Sequence, residues 1–223
     1  IEKILDAIGM TDCNAKGSPT GTVPLGTDAT GPRHKEIWNY ASIVGMMMYL
    51  ASNAFPEIQF AVHQCARFTH CPRASHEEGI KHICRYLQGV QDEGLTFKPS
   101  TNLDLDCYVD ADFAGLWNHE NDQDPVCVRS RTGFVMTLGG CPIQWSSKLQ
   151  TEIALSTAEA EYIAMSHALR ETIPIQNLIK EIHCIFKLPN LMTNPMTDFC
   201  IMLHEDNLSA ISMAESLKFT PCT

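Results

Sequence analysis

Between Leu103 and Phe113 the sequence LDLDCYVDADF alternates without a break. Leu103, Leu105, Cys107 and Val109 fall on one side, and Asp104, Asp106, Tyr108, Asp110 and Asp112 on the other. A period of two is the signature of a β-strand with one apolar face. The run closes in YVDADFAG (Tyr108–Gly115), so two aspartates stand at the strand's end. A second acidic group, STAEAEY (Ser156–Tyr162), opens a helix-like stretch, and a third, HEDN (His204–Asn207), follows a short apolar run. Carboxylates converging from three separate elements are what holds divalent ions over a phosphodiester.

The segments between these groups read as the rest of an α/β unit. RTGFVMTLGG predicts a strand ending in a Gly-Gly turn, and CPIQWSSK its hairpin partner, giving three antiparallel strands. Residues 116–128 read as a polar insertion. Ser156-Thr-Ala-Glu159 is a capping box, with Ser156 at the N-cap and Glu159 bonding back to the Ser156 amide. Glu161 has no such role. It lies beside the apolar stripe of Tyr162, Met165, Leu169 and Thr172, where a carboxylate needs a partner or a metal. Pro174 is expected to kink or interrupt this helix, which ends near Ile185. CIMLHED (Cys200–Asp206) predicts a short strand, and NLSAISMAES a helix with Asp206 at or near its N-cap. The end of a strand that leads into a helix is also where α/β sheets place their sites.

The first half is different. Residues 11–35 are rich in Gly, Pro, Thr and Asp and read as a loop or linker. Three helices follow, roughly 36–53, 56–70 and 73–89, with Pro56 and Pro72 near helix starts and Gly89 at an end. Charge divides along the same line. Residues 1–100 carry 9 basic and 10 acidic groups, whereas residues 101–223 carry 7 and 16, most of the chain's net −10. An acidic domain binds nucleic acid poorly unless bound metal neutralises its carboxylates; the alternative is a solvated acidic face. The ten cysteines form no CxxC pair and read as reduced thiols, with Cys65, Cys71, Cys84, Cys107 and Cys141 inside apolar patterns. The histidines and cysteines between His63 and Cys84 match no zinc spacing. No run of about 18 apolar residues predicts a membrane helix, and the N-terminus does not read as a signal peptide. Ile1 in place of an initiator Met reads as a piece of a longer chain.

Taken in order, YASIVGMMMYLAS, FPEIQFAVHQCARFTHCP and SHEEGIKHICRYLQG, then YVDADFAG, SRTGFVMTLGGCPIQWSSKLQ, LSTAEAEYIAMSHALRE and EDNLSAI resemble a known family. It is the C-terminal part of copia-type retrotransposon polyproteins, from the end of reverse transcriptase into ribonuclease H. The resemblance implies an α/β fold: a ribonuclease H-like mixed sheet flanked by helices, C-terminally truncated and preceded by a small helical thumb or connection subdomain. The implied divisions are 1–35 (linker or end of reverse transcriptase), 36–95 (helical region) and 96–223 (ribonuclease H-like domain).

The resemblance further implies metal-dependent hydrolysis of the RNA strand of RNA–DNA hybrids. Two Mg²⁺ ions, with Mn²⁺ as a substitute, would be held by Asp110, Glu161 and Asp206. Asp112 stands in if Asp110 points away, and is otherwise a solvated turn residue. Ser156, Asn207 and Ser209 are candidates for backbone contacts, with helix capping as their alternative. Arg67, Arg73, Lys81 and Arg85 are candidates for hybrid phosphates, with a solvated helix face as theirs. The implied partners are an RNA–DNA hybrid and the rest of the polyprotein, with no membrane and no small-molecule cofactor. The implied location is cytoplasmic, in a virus-like particle, or nuclear, and not secreted. The polymerase's paired-aspartate motif is absent, so no polymerisation is expected. The family's fourth acidic residue lies beyond the FTPCT end, which leaves a non-catalytic remnant or connection module as the alternative. An integrase on the same fold would not carry the helical region.

Overall fold

A computed structural model describes all of the chain except residues 24, 36, 118–124, 188–199 and 217–223. The start of the first expected helix, the middle of the polar insertion and the FTPCT end lie outside the described residues. The chain forms two compact units, Ile1–Leu95 with Leu116–Cys127, and Thr96–Gly115 with Val128–Thr223.

The first unit is helical. It contains α1 (Glu2–Ile8), α2 (Tyr40–Asn53), a 3-10 turn at Pro56–Ile58 running into α3 (Gln59–Ala66), and α4 (Ala74–Gly89). Helix α1 falls in the stretch expected to be linker. Ile4 and Leu5 draw it into the same core as Met47, Ile58, Ile80 and Leu87. The loop after it has no helix or strand among its described residues but is tied down: the Arg73 guanidinium donates to the Gly31 carbonyl, and the His76 and His82 rings bond the Gly26 and Ser18 carbonyls. His76 is fully buried, with its ring stacked on Phe68. Cys71, unlike the other cysteines of the apolar patterns, is exposed. At its end of the polar insertion, Pro125–Val128 form a 3-10 turn with Cys127 buried.

The second unit is a four-stranded mixed sheet with helices, the architecture of a ribonuclease H-like fold. Its strands are β1 (Leu105–Asp112), β2 (Arg131–Leu138), β3 (Cys141–Leu149) and β4 (Ile201–His204), in the order β3-β2-β1-β4. β1 pairs antiparallel with β2 and parallel with β4. The β2–β3 hairpin turns through Gly139 and Gly140, both at positive φ (57° and 80°), where a side chain would be strained.

Among the described residues two helices complete the unit, α5 (Thr157–Phe186) and α6 (Leu208–Glu215). Cys107 and Val109 of β1 pack with Phe134 against Ala164, Met165 and Ala168 of α5 and Ala210 of α6. Helix α5 is not interrupted at Pro174. That residue is exposed, while Ile175 and Ile179 carry the same stripe onto Leu105 and Met136, so packing holds the helix across the missing amide. Among the described residues no helix is long and apolar enough to cross a membrane.

Candidate metal centre

Three junctions bring acidic side chains together. The first is the end of β1. Its burial alternates as its sequence does, with Leu105, Cys107 and Val109 inside and Asp110 and Asp112 exposed. The second is the start of α5. Ser156 is its N-cap, its hydroxyl accepting the Glu159 amide at 3.2 Å, and Glu159 folds back as expected. The amide it accepts is that of Leu155, at 2.7 Å, one residue earlier than the capping box predicts. Buried Gln150 seats this end of the helix on the sheet, donating to the Ala160 carbonyl at 2.9 Å and to Thr132 Oγ1 at 3.1 Å. Glu161 is thereby held facing β1.

The third junction runs from β4 into α6. The parallel register sets His204 beside Tyr108, so the chain leaves β4 next to the end of β1 that carries Asp110. The N-cap of α6 is Asn207 rather than Asp206. Asn207 Oδ1 accepts the Ser209 and Ala210 amides at 3.0 and 3.1 Å, which leaves the Asp206 carboxylate free of capping.

Carboxylate oxygens of Glu161, Glu205 and Asp206 all lie within 4.8 Å of one another. Asp110 stands close enough for its charge to act on both glutamates. Glu161 is only 7 % exposed, and its Oε2 is buried with no protein partner. Burial, then the charges of Glu205, Asp110 and Asp206, push its pKa up to about 7, against a hydrogen bond from the Ala111 amide. Glu205 is raised as well, first by burial, against the Asn207 amide that its Oε1 accepts at 3.0 Å. Like charges gathered round a buried carboxylate are costly unless a cation joins them. An all-oxygen donor set with an orphaned buried oxygen fits Mg²⁺ or Mn²⁺.

The other candidates stand elsewhere. Asp112 turns back into its own loop, its carboxylate lying where a side chain on Gly115 would sit. Ser209 is exposed in the first turn of α6. Arg67, Arg73, Lys81 and Arg85 belong to the helical unit. Arg67 bonds Gln64 and lies over the Phe68 ring, Arg73 holds the Gly31 carbonyl, and Lys81 pairs with Glu78 at 3.4 Å. Sequence reasoning passed over Glu205 and Gln150. Glu205 was visible as the neighbour of Asp206 in HEDN, whereas nothing in KLQ marks Gln150 as a buried brace. Next to the cluster, His204 Nε2 bonds Asp106 Oδ1 at 2.8 Å and its ring stacks on Tyr108, fastening β4 to β1.

An acidic cluster at the strand ends of a mixed, helix-flanked sheet defines a candidate metal centre of ribonuclease H-like architecture. No family model and no solved structure matches the chain. Curated relatives do. The chain is 36% identical over 193 residues to the retrovirus-related Pol polyprotein from transposon RE1 of Arabidopsis thaliana, which covers 86% of this chain and 12% of that protein. It is 34% identical over 188 residues to the corresponding polyprotein from transposon TNT 1-94 of Nicotiana tabacum, covering 82% of this chain and 14% of that one. It is also 37% identical over 134 residues to a Plasmopara viticola protein named secreted RxLR effector protein 161, covering 60% of this chain and 89% of that protein. The chain belongs to one family with the Plasmopara viticola protein, and retrovirus-related Pol polyproteins of copia-type transposons are among its relatives. It spans only 12–14% of the length of those polyproteins.

Proposed function

We propose that the second unit is a metal-dependent ribonuclease H centre that cleaves the RNA strand of RNA–DNA hybrids. The observation that carries this reading is the convergence of Glu161, Glu205 and Asp206 on one point, with Asp110 near enough for its charge to act on Glu161 and a buried Glu161 oxygen left unpartnered. Asp110, Glu161 and Asp206 would hold divalent ions, Mg²⁺ or Mn²⁺. When bound, such an ion lowers the pKa of a coordinated water and offsets phosphate charge. The chain's own contribution is placement. Gln150 and the Ser156 cap fix the α5 end, Asn207 fixes the α6 end, and β1 supplies Asp110 from a strand paired on both sides. The turn of Asp112 into its own loop supports leaving it outside the ligand set. Ser156 and Asn207 act here as caps. With the site loaded, the acidic unit becomes able to approach a phosphate backbone that its net charge otherwise repels.

The test is cleavage of an end-labelled RNA–DNA hybrid, beside double-stranded RNA and DNA, in Mg²⁺ or Mn²⁺. Hybrid-specific cleavage that disappears in Asp110→Asn is expected. Binding of Mn²⁺ by folded protein without cleavage of any substrate would overturn the nuclease reading and leave a non-catalytic member of a retroelement polyprotein.

A further inference from the structure

The cluster contains a carboxylate that the three-ligand reading does not use. We propose that Glu205 is itself a metal ligand, so that the site presents four carboxylates, two of them consecutive in the chain. This inference rests on the reading of the cluster as a metal centre and assigns a further residue to it.

Three observations carry it. Glu205 is one of the three residues whose carboxylate oxygens lie mutually within 4.8 Å, closer into the group than Asp110. Its two oxygens are differently placed. Oε1 accepts the Asn207 amide at 3.0 Å, which fixes the rotamer, while Oε2 is buried without a partner. Glu161 presents the same pattern from the other side, with a hydrogen bond donated by the Ala111 amide and a buried orphan oxygen. Two half-satisfied carboxylates facing each other across a few ångströms are mutually repulsive without a cation and complementary to one with it.

The position also explains how neighbours in sequence can serve one site. A strand would send residues 205 and 206 to opposite faces. β4 ends at His204, however, and the backbone turns toward the Asn207 cap, so both side chains reach the cluster. Glu205 is thus held by the same turn that frees Asp206 from capping.

Mn²⁺ binding by the full chain, followed by electron paramagnetic resonance of the free ion, tests this without reference to catalysis. Glu205→Gln keeps the shape and the Asn207 contact but removes the charge. It is expected to weaken Mn²⁺ binding by at least the roughly 10–100-fold lost when a hydrogen-bond partner of a metal ligand is removed, with the circular dichroism spectrum unchanged. Glu159→Gln, on the outer side of the same helix start, is expected to bind as the unaltered chain does. Equal affinity in Glu205→Gln and the unaltered chain, with binding lost in Glu161→Gln, would overturn the role of Glu205 and leave the metal centre standing. No Mn²⁺ binding by the unaltered chain would overturn both.

Discussion

Two buried glutamates, one in each unit, are exposed to the same 7 % and live in opposite surroundings. Glu77, on α4, is satisfied. Its Oε1 meets His34 Nδ1 at 2.5 Å and accepts the Lys35 amide at 2.9 Å, while His34 Nε2 bonds the Trp38 carbonyl at 3.0 Å. Glu161, on α5, faces Glu205, Asp110 and Asp206 and keeps an oxygen without a partner. Equal burial therefore says nothing about role. The partners do: Glu77 fastens the long loop to a helix, whereas Glu161 stands among like charges with one oxygen unpartnered.

The contrast breaks most visibly in stability. Glu77→Ala removes the acceptor of a histidine and an amide in a dry place, a change of the kind that costs about 3–5 kcal/mol. Glu161→Gln removes one of several like charges and should leave the unfolding temperature unchanged or higher in metal-free buffer. Thermal unfolding followed by circular dichroism measures both. Equal losses in the two variants would show that Glu161 is as structural as Glu77.

Adding a cation should narrow the gap. An ion that binds only the folded chain stabilises it by about 2.7 kcal/mol at a hundredfold excess over its dissociation constant. Mn²⁺ should therefore raise the unfolding temperature of the unaltered chain and of Glu77→Gln, but not of Glu161→Gln or Asp206→Asn. A shift that survives in the last two would place the ion elsewhere.

The pH dependence is a smaller effect of definite sign. The folded pKa of Glu161, about 7, lies above its ordinary 4.5. Below 4.5 the group is protonated folded or unfolded and contributes nothing. As pH rises toward 7 the unfolded chain releases its proton and the folded one holds it, so stability falls across this window and then levels. Glu205 adds in the same direction. After discounting for screening the loss is of order 1–2 kcal/mol. It should shrink in Glu161→Gln to what Glu205 contributes and be lost when Mn²⁺ is present, and a flat profile in the metal-free chain would contradict this crowding of charges.

Strands and the helix–strand order were legible because each rests on short-range pattern: the alternation of Leu105 to Asp112, the Gly139-Gly140 turn, the Ser156 cap. Asp110, Glu161 and Asp206 stand out in the sequence for the same reason, each sitting at an element's end or lacking a local partner. What the pattern could not show depends on three-dimensional neighbours. Pro174 is carried by packing on either side of it, α1 by a core made of distant residues, and the membership of Glu205 by a backbone turn that only the pairing of β4 with β1 defines.

Asn207 tests the finest part of the comparison, since a cap is what frees Asp206. Replacing it with Ala orphans the Ser209 and Ala210 amides and should cost about 1 kcal/mol. The nearest carboxylate able to cap α6 in its place is Asp206. If that side chain turns to the helix, it leaves the cluster, so Asn207→Ala should weaken Mn²⁺ binding as well, though less than Asp206→Asn does. Asn207→Asp keeps a good cap and should preserve both stability and binding. The two readouts must move together: a loss of stability in Asn207→Ala with Mn²⁺ affinity unchanged would mean that Asp206 is held in the cluster by something other than the cap beside it.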